Sequence, residues 1–542
     1  MLNRIKTGLA PHLPAEPYRD WLKTAVVFVS TLVLVRFLLH YVLHLPTGEA
    51  LYENGYLLWN SLAETSPRRL VLLTGLLVGC VYLDVGRKFR PLTAFGKIGR
   101  ALLWMAILIQ VYSVGLMDYN HYYDQWYWLD RTLLIALGGL AMVRPAYLPL
   151  FILQLSLLTG QLRHPDIIGY DHVHKFIVVP ILGIFWTYGA LSTVLRPRRG
   201  WVLPVIMVMS ILSLWYINAG LGKIQIDWQD QNSLYFLFAA AVDTGWLGSW
   251  SMETKRALGN FLIEWQTPLL WSTIVVEILL PLLLFHNRWT AAVASVSLML
   301  FHLAVYLFSG ILFWQWSLLE LVFLYWVVFR PQEAQAMFSW RNRVVYVVSL
   351  LTLPWLVHIG KLAWYDCGFT NRYHFYLVDE AGREQELDAT YFSPYDTGFA
   401  KNRFYYTTPF KTLAFTYGQC DEPNLLQTAY AYGRQPDAAD LTIFEQLRTE
   451  RGMERFDAEK TARFRRFLTD FIGSKNRYDP ELISHFASPP HMQQGLDQRN
   501  LTVENLSHLR VVMREKAILP GLRYVPLRQD SFFLSFDQPT PQ

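Results

Sequence analysis

The sequence predicts an α-helical polytopic membrane protein with about 11 spanning helices, followed by an extracytoplasmic α+β domain at the C-terminal end. Three observations lead to this fold class. Of the 542 residues, 53% are hydrophobic and 17% charged, whereas a typical soluble chain has about 25% charged residues. Long apolar runs fill the chain up to residue 363, and beyond it the composition is that of a soluble domain. We therefore expect a cytoplasmic N-terminal segment (1-23), a transmembrane domain (24-362) and a soluble extracytoplasmic domain (363-542).

The apolar runs are the elements of the predicted transmembrane domain. A spanning helix needs about 20 mostly apolar residues, because every backbone polar group must find its partner within the segment. Runs of this kind lie at 24-44, 70-86, 101-118, 125-142, 146-163, 176-195, 201-221, 267-286, 289-308, 311-329 and 344-362. Only Val143, Arg144 and Pro145 separate the fourth run from the fifth. These two runs are either two spans or one broken or re-entrant pair.

Positive residues in the short loops predict the orientation, because cytoplasmic loops carry an excess of Lys and Arg. The loops after the second, sixth, eighth and tenth runs contain Arg87, Lys88, Arg90, Lys97, Arg100, Arg196, Arg198, Arg199, Arg288, Arg330, Arg341 and Arg343. The opposite short loops hold fewer, chiefly Arg68, Arg69, Arg163 and Lys175. The N-terminus is therefore predicted to be cytoplasmic and residues 363-542 to lie outside, in the periplasm if the host is bacterial. The net charge of +5 requires no nucleic-acid partner.

The C-terminal segment shows strand-like alternation. Residues 373-378, a turn containing Gly382, and residues 384-387 predict a β-hairpin. Residues 440-475 are predicted to be helical and 505-536 to form short strands. Cys367 and Cys420 both fall in this domain, where they either form one disulfide in an oxidising compartment or remain two buried thiols.

Four ionisable side chains fall inside apolar runs, where a charge costs at least a few kcal/mol and marks either function or a buried pair. Arg36, Glu277 and Glu320 lie near the middle of their runs, and His302 lies in the outer half of the ninth run. The predicted depth of these residues in the membrane would allow Arg36 to form an ion pair with either glutamate. Such a pair would hold the helices together and do no chemistry.

Lys223 lies at the outer end of the seventh run, against the positive-inside bias, with Gly220 and Gly222 beside it. The glycines allow a close approach of another backbone. A lysine partly removed from water there could lose its proton and act as a base. The alternative is an interfacial lysine that reaches the headgroups beside Trp228.

A histidine-rich stretch offers the candidates for metal ligation. His164, His172 and His174 lie beside aspartates, and imidazole and carboxylate groups are common metal ligands. Two histidines at i and i+2 do not share a helix face, so they could bind a metal together only in a loop or strand. We therefore predict no metal site.

The sequence resembles the vitamin K-dependent γ-glutamyl carboxylases and the wider group of HTTM membrane proteins. Residues 218-228 resemble the stretch that holds the family's catalytic lysine, and 301-313 resemble a later span with a histidine and a serine-containing turn. Arg36 resembles the arginine of the first span, and Asn120-His121 resemble an Asn-His pair at the end of an earlier span. Residues 373-387 resemble the hairpin after the last span.

The resemblance implies that Lys223, His121, Asn120 and His302 are catalytic. A vitamin K-like reduced naphthoquinone would lose a proton to Lys223, and its oxidation by O2 would generate a base able to remove a carbon-bound proton. The resulting carbanion captures CO2. Asn120 and His121 would bond the quinone oxygen, and His302 would line its pocket. Gly222 stands where the family has the first lysine of a pair, which leaves both the substrate and the reaction open.

Three functions are compatible with these observations. The first is a carboxylase-like enzyme acting on a peptide, protein or small molecule from the outer side, and the second is another quinone- or lipid-modifying enzyme that uses Lys223 as base or nucleophile. The third is a non-enzymatic membrane assembly, partner-binding or transport protein. The absence of an evident internal repeat and the clustering of polar residues toward one side favour an enzyme over a carrier.

Overall fold

The computed structural model describes most of the chain. The described residues are 15–43, 57–86, 91–116, 127–161, 167–168, 173–195, 201–228, 233–355, 368–387, 389–392, 395, 398–399, 403–413, 415–416, 419–420, 446, 448–450, 452–477 and 506–535.

Most of the chain is helical. Numbered in chain order, the helices are α1 Ala15–Phe37, α2 Leu57–Ala63, α3 Pro67–Val85, α4 Pro91–Gln110, α5 Tyr127–Val143, α6 Leu148–Gln161, α7 Val173–Leu195, α8 Val202–Gln225, α9 Ser233–Asp243, α10 Met252–Glu264, α11 Gln266–Leu283, α12 Arg288–Ser309, α13 Trp314–Phe329, α14 Pro331–Gln335, α15 Trp340–Thr352 and α16 Ala458–Arg477. α1 and α4 continue as the π-helical turns Leu38–Val42 and Val111–Gly115.

Within the described part of the chain, six helical segments are long and apolar enough to cross a membrane. They are Leu22–Val42, Phe95–Gly115, Val178–Leu195, Val202–Gln225, Gln266–Leu283 and Arg288–Ser309. Each of the eleven predicted runs overlaps a helix. A topology of about 11 spans, and the position of the termini relative to the membrane, stay predictions.

A break separates the fourth and fifth predicted runs. α5 ends at Val143, the 3-10 turn Pro145–Tyr147 follows, and α6 begins at Leu148. The indole nitrogens of Trp104 and Trp186 donate to the carbonyls on either side of this break, at Met142 and Ala146, over 3.0 Å each. α6 has 14 residues and is about 21 Å long, which is less than the roughly 30 Å hydrocarbon thickness of a bilayer.

α8 is the central helix of the bundle. Of its most apolar stretch, 89% is buried, against 22% for α11 and 28% for α12. α8 packs against α4, α7, α11 and α15, so both its sides are covered by protein. The outward faces of α11 and α12 are instead exposed and apolar, with residues such as Val275, Leu279, Val293 and Leu303. These faces fit contact with lipid.

The C-terminal part contains a four-stranded antiparallel sheet in the order β2-β1-β5-β6, formed by β1 Phe369–Asp379, β2 Glu384–Leu387, β5 Leu506–Leu519 and β6 Arg523–Ser535. Two short strands, β3 Phe415–Thr416 and β4 Gln419–Cys420, pair with each other. The predicted hairpin is confirmed by the pairing of β1 with β2, and Gly382 in its turn has a φ of 78°. The last two strands are long, with 14 and 13 residues, and the prediction of short strands there is wrong.

The predicted helix at 440-475 is interrupted, because residues 446 and 448–450 are helical and a non-helical stretch separates them from α16. Residues 452–457 are not helical, and Met453 forms an antiparallel bridge with Thr412. α16 begins after Asp457, whose carboxylate accepts from the backbone N–H of Lys460 over 2.9 Å, as an N-terminal cap does. Its aromatic face, including Phe464, packs on one side of the sheet.

The sheet is attached to α9. The hydroxyl of Tyr235 donates to the carbonyl of Leu519 over 2.6 Å and accepts from the N–H of Leu522 over 3.0 Å. Lys516 forms an ion pair of 2.8 Å with Asp243 at the end of α9. The turn between β5 and β6 is therefore fixed to a helix of the bundle.

Candidate active site

One face of α8 carries two polar residues of the candidate site. Tyr216 and Lys223 are seven residues apart, which is about two helical turns and about 10 Å along the axis, so they lie on the same side of the helix. Ala219 lies between them, and all three side chains line one cavity. A small residue at this position leaves space between the two polar groups.

Lys223 forms a buried ion pair with Glu277 of α11. The Nζ atom is 2.7 Å from both Oε1 and Oε2, and each side chain is 6% exposed. Nζ also lies 5.4 Å from the centre of the Trp228 ring. Because both groups are almost completely removed from water, each charged group is stabilised mainly by the other.

Gly220 explains how α11 comes so close to α8. A Cβ atom at this position would lie 2.7 Å from Cγ1 of Ile278 and 3.2 Å from Cβ of Glu277. A larger residue would therefore push α11 away. The glycine beside Lys223 allows the close approach expected from the sequence, and the approaching residue is the lysine's own partner.

A second buried network lies further along the same face of α8. The hydroxyl of Tyr216 donates to Oε1 of Glu320 on α13 and is hydrogen-bonded to Nε2 of His302 on α12. The three residues are between 1% and 4% exposed. Phe313 packs against the His302 ring, with ring centres 5.1 Å apart. Three helices thus meet at one tyrosine oxygen.

The turn between α12 and α13 is built by Ser309 and Gly310. Gly310 adopts the left-handed conformation, with a φ of 73°, and ends α12. The Ser309 hydroxyl donates to the carbonyl of Val305 and accepts from the N–H of Ile311 over 3.1 Å. The turn directs Ile311 and Phe313 to the cavity wall, so the serine-containing turn noted in the sequence shapes the site.

The cavity has a volume of about 370 Å³ and a predominantly apolar wall. It lies between α8, α9, α11, α12 and the start of α13. Its lining residues are Trp215, Tyr216, Ala219, Lys223, Trp228, Leu234, Leu237, Leu269, Ser272, Thr273, Val276, Glu277, Ser297, Leu300, Phe301, His302, Ala304, Val305, Phe308, Ile311, Phe313 and Trp316. Ligand pockets have this character, with apolar and aromatic walls and a few polar groups that fix orientation.

The structure brings several of the predicted residues together. Lys223, Glu277 and His302 line the same cavity, and Glu320 lies directly behind His302 through Tyr216. Glu277 pairs with Lys223, and Glu320 accepts a hydrogen bond from Tyr216. The ion pair of Arg36 with one of these glutamates, which their similar depth in the membrane would have allowed, is not formed. The side chain of Arg36 is exposed on α1.

Other predicted site residues fall outside the part that the structure describes. Asn120, His121, His164, His172 and Cys367 all lie there. For His174 and Cys420 only the backbone is described, in α7 and β4 respectively, so a Cys367–Cys420 disulfide stays a prediction. Among the described residues no cluster of three or more His, Cys, Asp or Glu could hold a metal ion. The remaining cysteine, Cys80, is a buried free thiol.

Tyr216 was not predicted from the sequence. A tyrosine in an apolar run is usually an ordinary core residue. The signal that could have found it is its spacing of seven residues from Lys223, because i and i+7 share a helix face.

The chain matches no family model, no curated protein and no solved structure. The resemblance to the carboxylases thus stays a prediction based on the sequence motifs.

Proposed function

We propose that this protein is a carboxylase-like integral membrane enzyme in which Lys223 acts as a base on an aromatic hydroxyl compound, with O2 and CO2 as further substrates. The observation that carries the proposal is the buried Lys223–Glu277 pair at the wall of a 370 Å³ apolar cavity. A buried ionisable pair at the wall of an apolar cavity is an arrangement that active sites use for acid–base catalysis.

The cavity suits a reduced naphthoquinone. Its aromatic wall residues, such as Phe301, Phe313 and Trp316, suit a flat ring system. Its ionisable groups lie around Lys223 and around Tyr216, which are about 10 Å apart along α8. The indole nitrogen of Trp228 is buried at the wall without a hydrogen-bond partner among the described residues. A ligand oxygen near this end of the cavity would give it one. When bound, such a quinone supplies the oxygen-driven chemistry that generates a strong base.

The protein's own contribution is the movement of one proton. A proton that moves from Lys223 to Glu277 along their 2.7 Å contact converts the ion pair into a neutral amine and a carboxylic acid. In an apolar site this neutral pair competes well with the charged one. The neutral amine then takes the proton of a ligand hydroxyl, and the ammonium ion formed balances the charge of the ligand oxygen.

The cavity also keeps water away from these steps. Its polar wall is small and the pair is almost fully buried, so a carbanion formed here would be shielded from protonation by solvent. In the proposed topology, with about 11 spans and a cytoplasmic N-terminus, the site lies near the outer membrane face. A peptide or protein substrate would reach it from the side of the 363-542 domain.

The test compares wild type with Lys223→Ala in detergent, using reduced naphthoquinone, oxygen and bicarbonate. We expect quinone oxidation and epoxide formation in wild type and their loss in the variant. Lys255→Ala is the matched control, because Lys255 is a buried lysine of α10 that does not line the cavity. Equal quinone turnover in Lys223→Ala would exclude the base role. No turnover in wild type would favour the alternative, a membrane assembly, partner-binding or transport protein.

A further inference from the structure

We propose that Glu320, Tyr216 and His302 form a proton relay, a second acid–base group of the cavity besides Lys223. The inference rests on the proposed function for the identity of the ligand. It rests on the structure for the relay itself, in which one tyrosine hydroxyl connects an imidazole to a buried carboxylate.

Counting protons shows how the three groups work together. The Tyr216 hydroxyl has one proton and donates it to Glu320. The contact between Tyr216 and His302 is then a hydrogen bond only if Nε2 of His302 donates to the tyrosine oxygen. When the relay is ready to take up a proton, Glu320 is a carboxylate and His302 is a neutral imidazole whose Nδ1 carries no proton.

A proton that arrives at Nδ1 moves the whole chain by one step. The Nε2 proton passes to Tyr216, and the Tyr216 proton passes to Glu320. The histidine changes tautomer, the tyrosine stays neutral and the carboxylate becomes a carboxylic acid. No new charge appears within the bundle, which is the favourable way to take up a proton where charges are expensive.

The two ends of the chain are open. Nδ1 of His302 and Oε2 of Glu320 are buried and have no hydrogen-bond partner among the described residues. Buried polar atoms are normally paired, and His302 belongs to the cavity wall. A ligand hydroxyl or a water at this end of the cavity would complete the chain at Nδ1.

The relay also explains why the polar groups occupy two places. The other ionisable groups of the wall are Lys223 and Glu277, about 10 Å away along α8. A proton removed at one end and a proton returned at the other end do not compete for the same residue. This separation allows one ligand to lose a proton and an intermediate to regain one in the same cavity.

The first experiment needs no ligand. In protein with ¹⁵N-labelled histidine, NMR reports the tautomer of His302, and infrared spectroscopy of the carboxylic C=O stretch reports the protonation of Glu320. Assignments come from His302→Asn and Glu320→Gln. We expect the tautomer to switch together with Glu320 protonation in wild type and this coupling to be lost in Tyr216→Phe.

Tyr346→Phe is the matched control, because Tyr346 is also a buried tyrosine with two bonds, to Ser213 over 2.7 Å and to the carbonyl of Pro281 over 2.6 Å. It should keep the coupling. The relay would be refuted if the His302 tautomer did not change with the protonation of Glu320. It would also be refuted if this coupling persisted in Tyr216→Phe.

Turnover provides the second measurement. With reduced naphthoquinone, Tyr216→Phe should lower kcat by about 10²- to 10⁴-fold, the usual contribution of general acid–base catalysis, with little change in KM. Tyr346→Phe should leave kcat nearly unchanged. If wild type shows no turnover, the proposed function fails, while the spectroscopic coupling still decides whether the relay exists. Turnover in wild type with an unchanged kcat in Tyr216→Phe would refute the relay alone.

Discussion

The Lys223–Glu277 pair makes a quantitative prediction about stability. Lys223→Met and Glu277→Leu each remove one charge and leave the other in a place where only 6% of the side chain is exposed. We expect each single substitution to cost about 3–5 kcal/mol, because an unpaired buried charge loses its partner and gains no water. The double variant replaces the pair with apolar groups and should stay within roughly 1 kcal/mol of wild type or be more stable.

The assay is a double-mutant cycle with SDS-induced unfolding in mixed micelles. The 20 tryptophans provide the fluorescence signal. The two single costs minus the cost of the double variant should give a coupling free energy of at least about 5 kcal/mol, above the roughly 0.5–3 kcal/mol that is usual for residues in contact. Lys97→Met is the control, because Lys97 forms an ion pair with Glu333 while its side chain is 66% exposed, and exposed pairs contribute about 0–1 kcal/mol.

Additivity of the two single costs would refute this reasoning. It would mean that the two side chains do not contact each other in the folded protein. The proton transfer proposed from Lys223 to Glu277 would then have no structural basis, whatever the enzymatic assay shows.

Three further predictions concern other contacts. Gly220→Ala places a methyl group 2.7 Å from Ile278 and should cost about 1–3 kcal/mol by the same SDS titration, whereas Gly139→Ala, with no atom within 4 Å, should be neutral or stabilising. Burial lowers the pKa of His374, and its hydrogen bond lowers the pKa of Glu386. Both groups therefore bind protons more weakly in the folded protein than in the unfolded chain. Their contribution to stability should be complete above about pH 6.5, and the melting temperature should fall as the pH is lowered from there. A melting temperature unchanged down to pH 4 would contradict this. Tyr235→Phe removes two bonds to the β5–β6 turn and should speed amide hydrogen exchange in that turn, while an unchanged exchange rate would show that the turn is held by its packing alone.

The sequence predicted the helical elements well because apolar runs are a strong signal. Each predicted run overlaps a helix, and the break at Arg144 lies where a proline follows, since proline cannot continue the hydrogen-bond ladder. The β1–β2 hairpin was recognised because its turn contains Gly382 at a positive φ. The length of β5 and β6 was not recognised, because charged residues interrupt both apolar patterns, at 514–516 in β5 and at 528 and 530 in β6, and such interruptions are typical of loops.

The candidate site was only partly predictable, for a different reason. Lys223, Glu277, Glu320 and His302 stand out individually because ionisable residues are rare in apolar runs. Which of them are partners depends on how the helices pack, and depth in the membrane alone also allowed Arg36. The small residue that decides the partner, Gly220, has no chemistry of its own and acts by letting α11 approach.

The attachment of the sheet to α9 connects the C-terminal part of the chain to the wall of the cavity. Leu234 and Leu237 of α9 form part of the cavity wall, and Tyr235, between them in sequence, bonds the β5–β6 turn on the opposite side. Successive residues on a helix point about 100° apart, so one short helix can contact the cavity and the sheet at once. The C-terminal sheet therefore contacts a helix that lines the cavity, and a variant that loosens the β5–β6 turn should also change ligand binding there.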